Sequence, residues 1–153
     1  MPKGVSGLGA TNQNIYILYS FQFSMTVAVF IIKPTKIITR VCAEATPIPK
    51  GTVMKLSGTN TVSASSANSD PFGGITTEEF TGGEGLTHVG VGMDGVAQID
   101  TTAAAIGIGV PVSIGGANAV RAAIEADWPL GTVCGTAEEI RTGTNTIRVR
   151  LTR

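Results

Sequence analysis

The side chains best suited to chemistry in this 153-residue chain are few and badly placed for it. His88 is the only histidine, so neither a multi-histidine metal site nor a histidine-based triad with a second imidazole can be built. It falls between Thr87 and Val89 in an apolar run, where a strand histidine is expected. Serines crowd residues 57–69, yet none stands in the G-x-S-x-G context that exposes a nucleophile on a strand-to-helix turn. The adjacent acids Glu78-Glu79 and Glu138-Glu139 would point to opposite faces of a strand, and no calcium-loop spacing surrounds them. Gly90–Gly95 (GVGMDG) matches G-x-G-x-x-G. A dinucleotide site needs a helix opening at the last glycine and an acid about 20 residues on. The next residues, VAQIDTT, read as another strand instead, so Asp94-Gly95 is expected in a turn or bulge. No catalytic residue, cofactor or metal is assigned.

The elements that would have to position these groups are strands and turns. Only 14% of residues are charged and 20 are glycine, with zero formal net charge. An average soluble domain is about 25% charged. A neutral chain lacks the broad electrostatic attraction on which nucleic-acid binding rests. The charges are nonetheless segregated: no Lys or Arg lies between Lys55 and Arg121, while Asp70, Glu78, Glu79, Glu84, Asp94 and Asp100 do. This acidic middle is either a solvated loop or a docking face for a basic neighbour. Cys42 and Cys134 have no zinc-type spacing and are expected as buried thiols, a single bridge being the alternative.

Ile15–Ile32 (IYILYSFQFSMTVAVFII) carries no charge over a length near the minimum for a membrane span. Its Ser, Gln and Thr residues and its β-branched and aromatic bias favour extended chain, one or two strands about Met25, over a membrane helix or a signal peptide. Met25 could also serve as an alternative translation start. Residues 1–14 are Gly-rich and polar, as an arm would be. From Val27 onward, short apolar runs alternate with Pro and Gly. The polar stretch 57–74 is expected to form a hairpin followed by a mobile surface loop. Leu86–Ile99 and Ile106–Ile114 read as strands. Asn118–Ala126 fits either a short helix capped by Asn118 or a strand with Val120, Ala122 and Ile124 alternating. An internal echo favours the strand: Glu44-Ala45 precedes Pro49-Lys50-Gly51-Thr52-Val53, and Glu125-Ala126 precedes Pro129-Leu130-Gly131-Thr132-Val133. It suggests two equivalent barrel corners.

On the segments IPKGTVMKLSG, VGVGMDGV, IGIGVPVSIGG, WPLGTVCGTA and the closing GTNTIRVRLT, residues 41–153 resemble the capsid decoration (cement) proteins of tailed phages, the family of the phage lambda head decoration protein. Gly143, Ile147, Val149 and Leu151 match the family's period-2 final strand. The resemblance implies an all-β fold, a small β-barrel or β-tulip domain over residues 40–153, with at most one short helix. Residues 1–39 are expected to form an extended amino-terminal arm with β-strand character, a departure from the family pattern. The resemblance further implies a non-enzymatic virion protein on the outer capsid surface, made in the host cytoplasm, with the major capsid protein and itself, as a homotrimer, for partners. Neither nucleic acid nor membrane is an expected partner. The residues expected at interfaces are Ile15, Tyr16, Ile17, Tyr19, Phe21 and Phe23 in the arm, and Trp128. A β-domain recognising a glycan or a host receptor through Trp128 and the 57–74 loop is the rival reading.

Overall fold

The computed structural model describes residues 27–42, 46–83, 87–102, 105–142 and 146–152. The strands are β1 (Val29–Ile32), β2 (Ile37–Cys42), β3 (Val53–Gly58), β4 (Thr61–Ala64), β5 (Phe72–Thr76), β6 (His88–Gly92), β7 (Asp94–Thr101), β8 (Ala105–Ile106), β9 (Pro111–Gly116), β10 (Ala119–Ala122), β11 (Val133–Ala137), β12 (Arg141–Thr142) and β13 (Thr146–Thr152). One 3-10 turn, Glu125–Asp127, is the only helical element among the described residues. The chain is therefore all-β and built on small closed barrels, as the sequence implied.

Two five-stranded rings close in the same way. In the first the order is β2-β4-β3-β5-β6, with β6 returning to β2. In the second it is β7-β10-β9-β11-β13, with β13 returning to β7. Each ring has one parallel pair, β2 with β4 and β7 with β10, and every other pair is antiparallel. The registers coincide residue for residue. Leu56 faces Val62 and Gly58 faces Thr61 around a bulge in the first hairpin; Ile114 faces Val120 and Gly116 faces Ala119 around a bulge in the second. Asn60 and Asn118 take the same left-handed turn conformation, φ 54° and 53°. The bridge between Ile48 and Phe80 reappears as the β8–β12 pair at Ile106 and Arg141. The chain is thus an internal duplication in which Gly51 falls on Gly109 and Asn60 on Asn118.

This repeat differs from the echo seen in sequence. Gly51 and Gly131 do both take positive φ, and Val53 and Val133 do open outgoing strands. Yet Val53 opens β3, whose counterpart is β9, while Val133 opens β11, whose counterpart is β5. The two P-x-G-T-V turns are alike in chemistry and sit at different places in their rings. The residues of Asn118–Ala126 form a strand rather than a helix over Ala119–Ala122. Two expected strands are divided: Leu86–Ile99 breaks at Met93 between the rings, and Ile106–Ile114 breaks at Gly107–Gly109, where Gly109 has φ 77°.

The interior is one continuous apolar cluster spanning both rings. Met54, Phe72 and Ile75 fill the first ring, and Ile99, Ile114 and Ile147 the second. β5 is buried along its whole length and lies against β11 at the seam. β13 shows the alternation expected of it, with Ile147, Val149 and Leu151 inward and Arg148 and Arg150 outward. Cys42 and Cys134 are buried thiols, not a disulfide.

The rings are joined by polar contacts that the duplication does not repeat. Asn118, in the second ring, accepts a hydrogen bond from the Val53 N–H of the first at 2.9 Å. The matching position in the second ring is Pro111, which has no N–H to satisfy. The loop from Ser65 to Pro71 is not the mobile excursion its composition suggested. The Ser65 hydroxyl donates to Gly116 O and accepts from Asn118 N–H, Asn68 bridges Gly115, and Ser69 N–H donates to Ile114 O at 3.0 Å.

Replacing Asn118 by Gly keeps the left-handed turn and removes the acceptor from the buried Val53 N–H. The expected loss is about 1–3 kcal/mol in urea unfolding, with Asn118→Ala worse because it adds backbone strain. A glycine variant as stable as the parent would show that this junction contributes nothing.

Candidate interaction surfaces

The residues singled out for chemistry are not brought together. His88 is exposed on β6, its Nδ1 2.9 Å from the Thr87 hydroxyl. GVGMDG runs from strand to strand, from β6 into β7. Glu78 accepts from Gly90 N–H, Glu139 from Arg148 N–H, and Glu138 pairs with Arg150 at 2.6 Å. Among the described residues no group of three His, Cys, Asp or Glu could hold a metal, and no helix is long and apolar enough to cross a membrane. The acidic middle is also partly engaged internally. Asp70 accepts from the N–H groups of Ser66 and Ala67 and pairs with Lys55. Asp94 accepts from the Thr35 hydroxyl and from the N–H groups of Lys36 (2.8 Å) and Thr35 (2.9 Å), contacts that hold its carboxyl below the usual range.

Asp127 is the most elaborately held polar group, and sequence reading missed it. Fully buried, it accepts from Ser69 Oγ (2.8 Å), Ser113 Oγ (3.0 Å), Ile124 N–H (2.8 Å) and the Arg121 guanidinium (2.9 Å). Burial pushes this carboxyl up, but the Ile124 N–H, the two hydroxyls and the Arg121 charge outweigh it and hold the pKa at about 2. With three donors from the second ring and Ser69 from the first, it clamps the ring junction.

The surface left for recognition is apolar. β1 lies outside both rings and, among the described residues, pairs only with β7, antiparallel from Val29 opposite Gln98 to Ile32 opposite Val96. Its arrival is prepared by Gly51, whose φ is 86° and where a Cβ would lie 2.1 Å from the Ala28 carbonyl oxygen. Ala28 N–H donates to Gly51 O at 2.8 Å. Val29, Ile31 and Ile32 stand 58%, 47% and 57% exposed, and Ile37 56%. Beside them opens a cavity of about 540 Å³ lined by Val27, Val29, Phe30, Pro34, Ile37 and Thr77 among others. Trp128 is exposed just after the 3-10 turn, with Ile124 and Leu130 exposed on the same loop. The other expected interface residues, Ile15, Tyr16, Ile17, Tyr19, Phe21 and Phe23, lie outside the described residues.

No protein-family model and no curated protein sequence matches the chain. Among solved structures, the crystal structure of the N base of head fiber gp8.5 in bacteriophage phi29 is similar, with a TM-score of 0.49 and 14% identity, covering 76% of this chain and 93% of that one.

The Asp127 pKa lies below its ordinary 3.8, so its stabilisation is fully present above pH 4 and is lost as pH falls toward 2. Asp127→Asn is expected to be less stable at pH 7 by roughly 2–4 kcal/mol, since it leaves the half-buried Arg121 without its counter-charge. The gap between variant and parent should narrow as unfolding is followed down to pH 2. A gap that stays constant with pH would contradict the clamp.

Proposed function

We propose that the protein is a non-enzymatic structural component of a virus particle that binds the outer face of the capsid and cements it, as a homotrimer at threefold or local threefold positions. The major capsid protein is the partner. The observation that carries this reading is β1: a strand held to β7 on one side and, among the described residues, without a strand on the other, presenting Val29, Ile31 and Ile32 outward. An exposed apolar edge of this kind is an aggregation hazard in a solitary protein and a ready template for strand addition in an assembled one. The family resemblance of residues 41–153 supports the same reading. Repetition over a lattice turns modest contacts into firm attachment, which suits a surface strand better than a pocket.

One observation favours a second reading. Trp128 is 60% exposed, and a solvent-facing tryptophan is a common anchor for a glycan or receptor.

Mixing purified protein with expanded, undecorated capsids of the parent virus and imaging the pelleted particles tests the first reading. Density at threefold positions is expected, and Ile31→Asp with Ile32→Asp should lower occupancy by about 10- to 150-fold, since each isoleucine is already about half buried and would lose about half of the roughly 1.5–3 kcal/mol of full burial. Bare shells at saturating protein would overturn it. Saturable glycan binding abolished by Trp128→Ala would establish the second.

A further inference from the structure

The duplication shows where the first ring lacks side chains that the second ring carries. β6 corresponds to β13: Gly92 faces Ile37 as Arg150 faces Val96, and Gly90 faces Thr39 as Arg148 faces Gln98. Arg148 and Arg150 stand on the outside of the second ring, so the sheet admits long side chains at these positions. In the first ring the same two places are bare backbone. Phe30 and Pro34 close over Gly92, where a Cβ would lie 2.9 and 2.8 Å from their rings, and Ile37 and Thr77 flank Gly90. These four side chains are walls of the cavity of about 540 Å³. Small-molecule sites commonly enclose roughly 300–1,000 Å³. The lining is mainly apolar, and its charged members are Lys33 and Lys50. Neither lysine pairs with an acid among the described residues. Glu78, the acid that reaches this floor, already accepts a hydrogen bond from Gly90 N–H at 3.2 Å.

We propose that this cavity binds a small amphiphile, an apolar chain or ring system that ends in one anionic group such as a carboxylate. A floor without side chains, walled by Phe30, Pro34 and Ile37, lets an apolar body lie against the strand and takes both surfaces out of water. Two ammonium groups against one engaged carboxylate leave the lining net positive, so an anion at the mouth gains a charge-assisted hydrogen bond. Enclosure on the scale of one small molecule favours such a ligand over a polypeptide, whose recognition needs a surface that continues well beyond a single pocket. The cavity is also no by-product of the ring fold. Lys50 falls on Ile108 of the second ring, and the residues that would match the Phe30–Pro34 wall there belong to β6 instead. The site is independent of the capsid reading, which needs only the outward side chains of β1.

The test is calorimetric titration of the full-length protein with decanoate and with decanol, which share a chain and differ in charge. Saturable binding of both is expected, with decanoate tighter on the order of tenfold, the gain from one charge-assisted hydrogen bond. Lys33→Gln with Lys50→Gln, both exposed, should erase that preference and leave the affinity for decanol unchanged. Gly90→Leu should abolish binding of both ligands and keep a cooperative melt, because the atoms its Cβ would meet at 3.0, 3.1 and 3.5 Å are side-chain tips of Thr77, Glu78 and Ile37. If that variant does not fold, amide chemical shifts of the parent decide: decanoate should move Ile37 and Thr77 and leave β13 unmoved. A parent that binds neither ligand overturns the proposal, as do equal affinities for the two, a preference that survives the lysine exchange, and binding that a folded Gly90→Leu variant retains.

Discussion

The organisation of this molecule rests on the requirement that strand edges be hydrogen-bonded. A small domain with 14% charged residues cannot leave rows of N–H and C=O groups unpaired at its apolar surfaces. Closing five strands into a ring removes most edges at once. The closure here uses a parallel pair of only two residues, Val41–Cys42 with Thr61–Val62, or Asp100–Thr101 with Ala119–Val120. Because β2 and β7 run on beyond these short pairs, each ring is left with a stub of unsatisfied edge. The strand β1 meets that of β7, and the Ile37–Thr39 stub of β2 has no strand beside it among the described residues.

The same requirement explains why the junction is polar inside an otherwise apolar core. Val53 N–H emerges at the start of β3 with no strand partner, and Asn118 from the other ring supplies the acceptor. Asp127 gathers hydroxyl, amide and guanidinium donors from both rings at the junction. Groups of this kind are costly unless every member is satisfied, and here the clamp's donors converge on one carboxylate.

The strand content and the barrel class were legible in the sequence because one buried face imposes period-2 alternation, as in Ile147, Val149 and Leu151. The duplication was not. Ring topology is held by backbone pairing, which tolerates almost any β-compatible side chain. Between GTVMKLSGTNTVSA (51–64) and GVPVSIGGANAVRA (109–122) only Gly51, Gly58, Asn60, Val62 and Ala64 recur. Those five were the available signal, and the louder P-x-G-T-V echo masked it by reporting turn chemistry rather than position. The 65–71 loop was misread for a related reason: Ser and Asn signify polarity, and only the fold shows that Gly115, Gly116 and Asn118 are there to meet them. Of the candidate surface, the apolar VAVFII edge and Trp128 were legible, whereas the Ile37–Thr39 edge, uncovered among the described residues, shows only when the two rings are set side by side.

The pairing of Val53 with Asn118 and of β1 with β7 also bears on how the chain matures. The first ring needs an acceptor from the second, and the second needs a strand that precedes the first, so neither is complete without the other. As the chain is synthesised from its amino terminus, β1 must wait until the whole first ring has emerged before its partner is made, and that ring stays unfinished until Asn118 exists. The two halves are tied in both directions, and a barrel that resembles an independent module in outline shares its hydrogen bonds and its apolar core with the other.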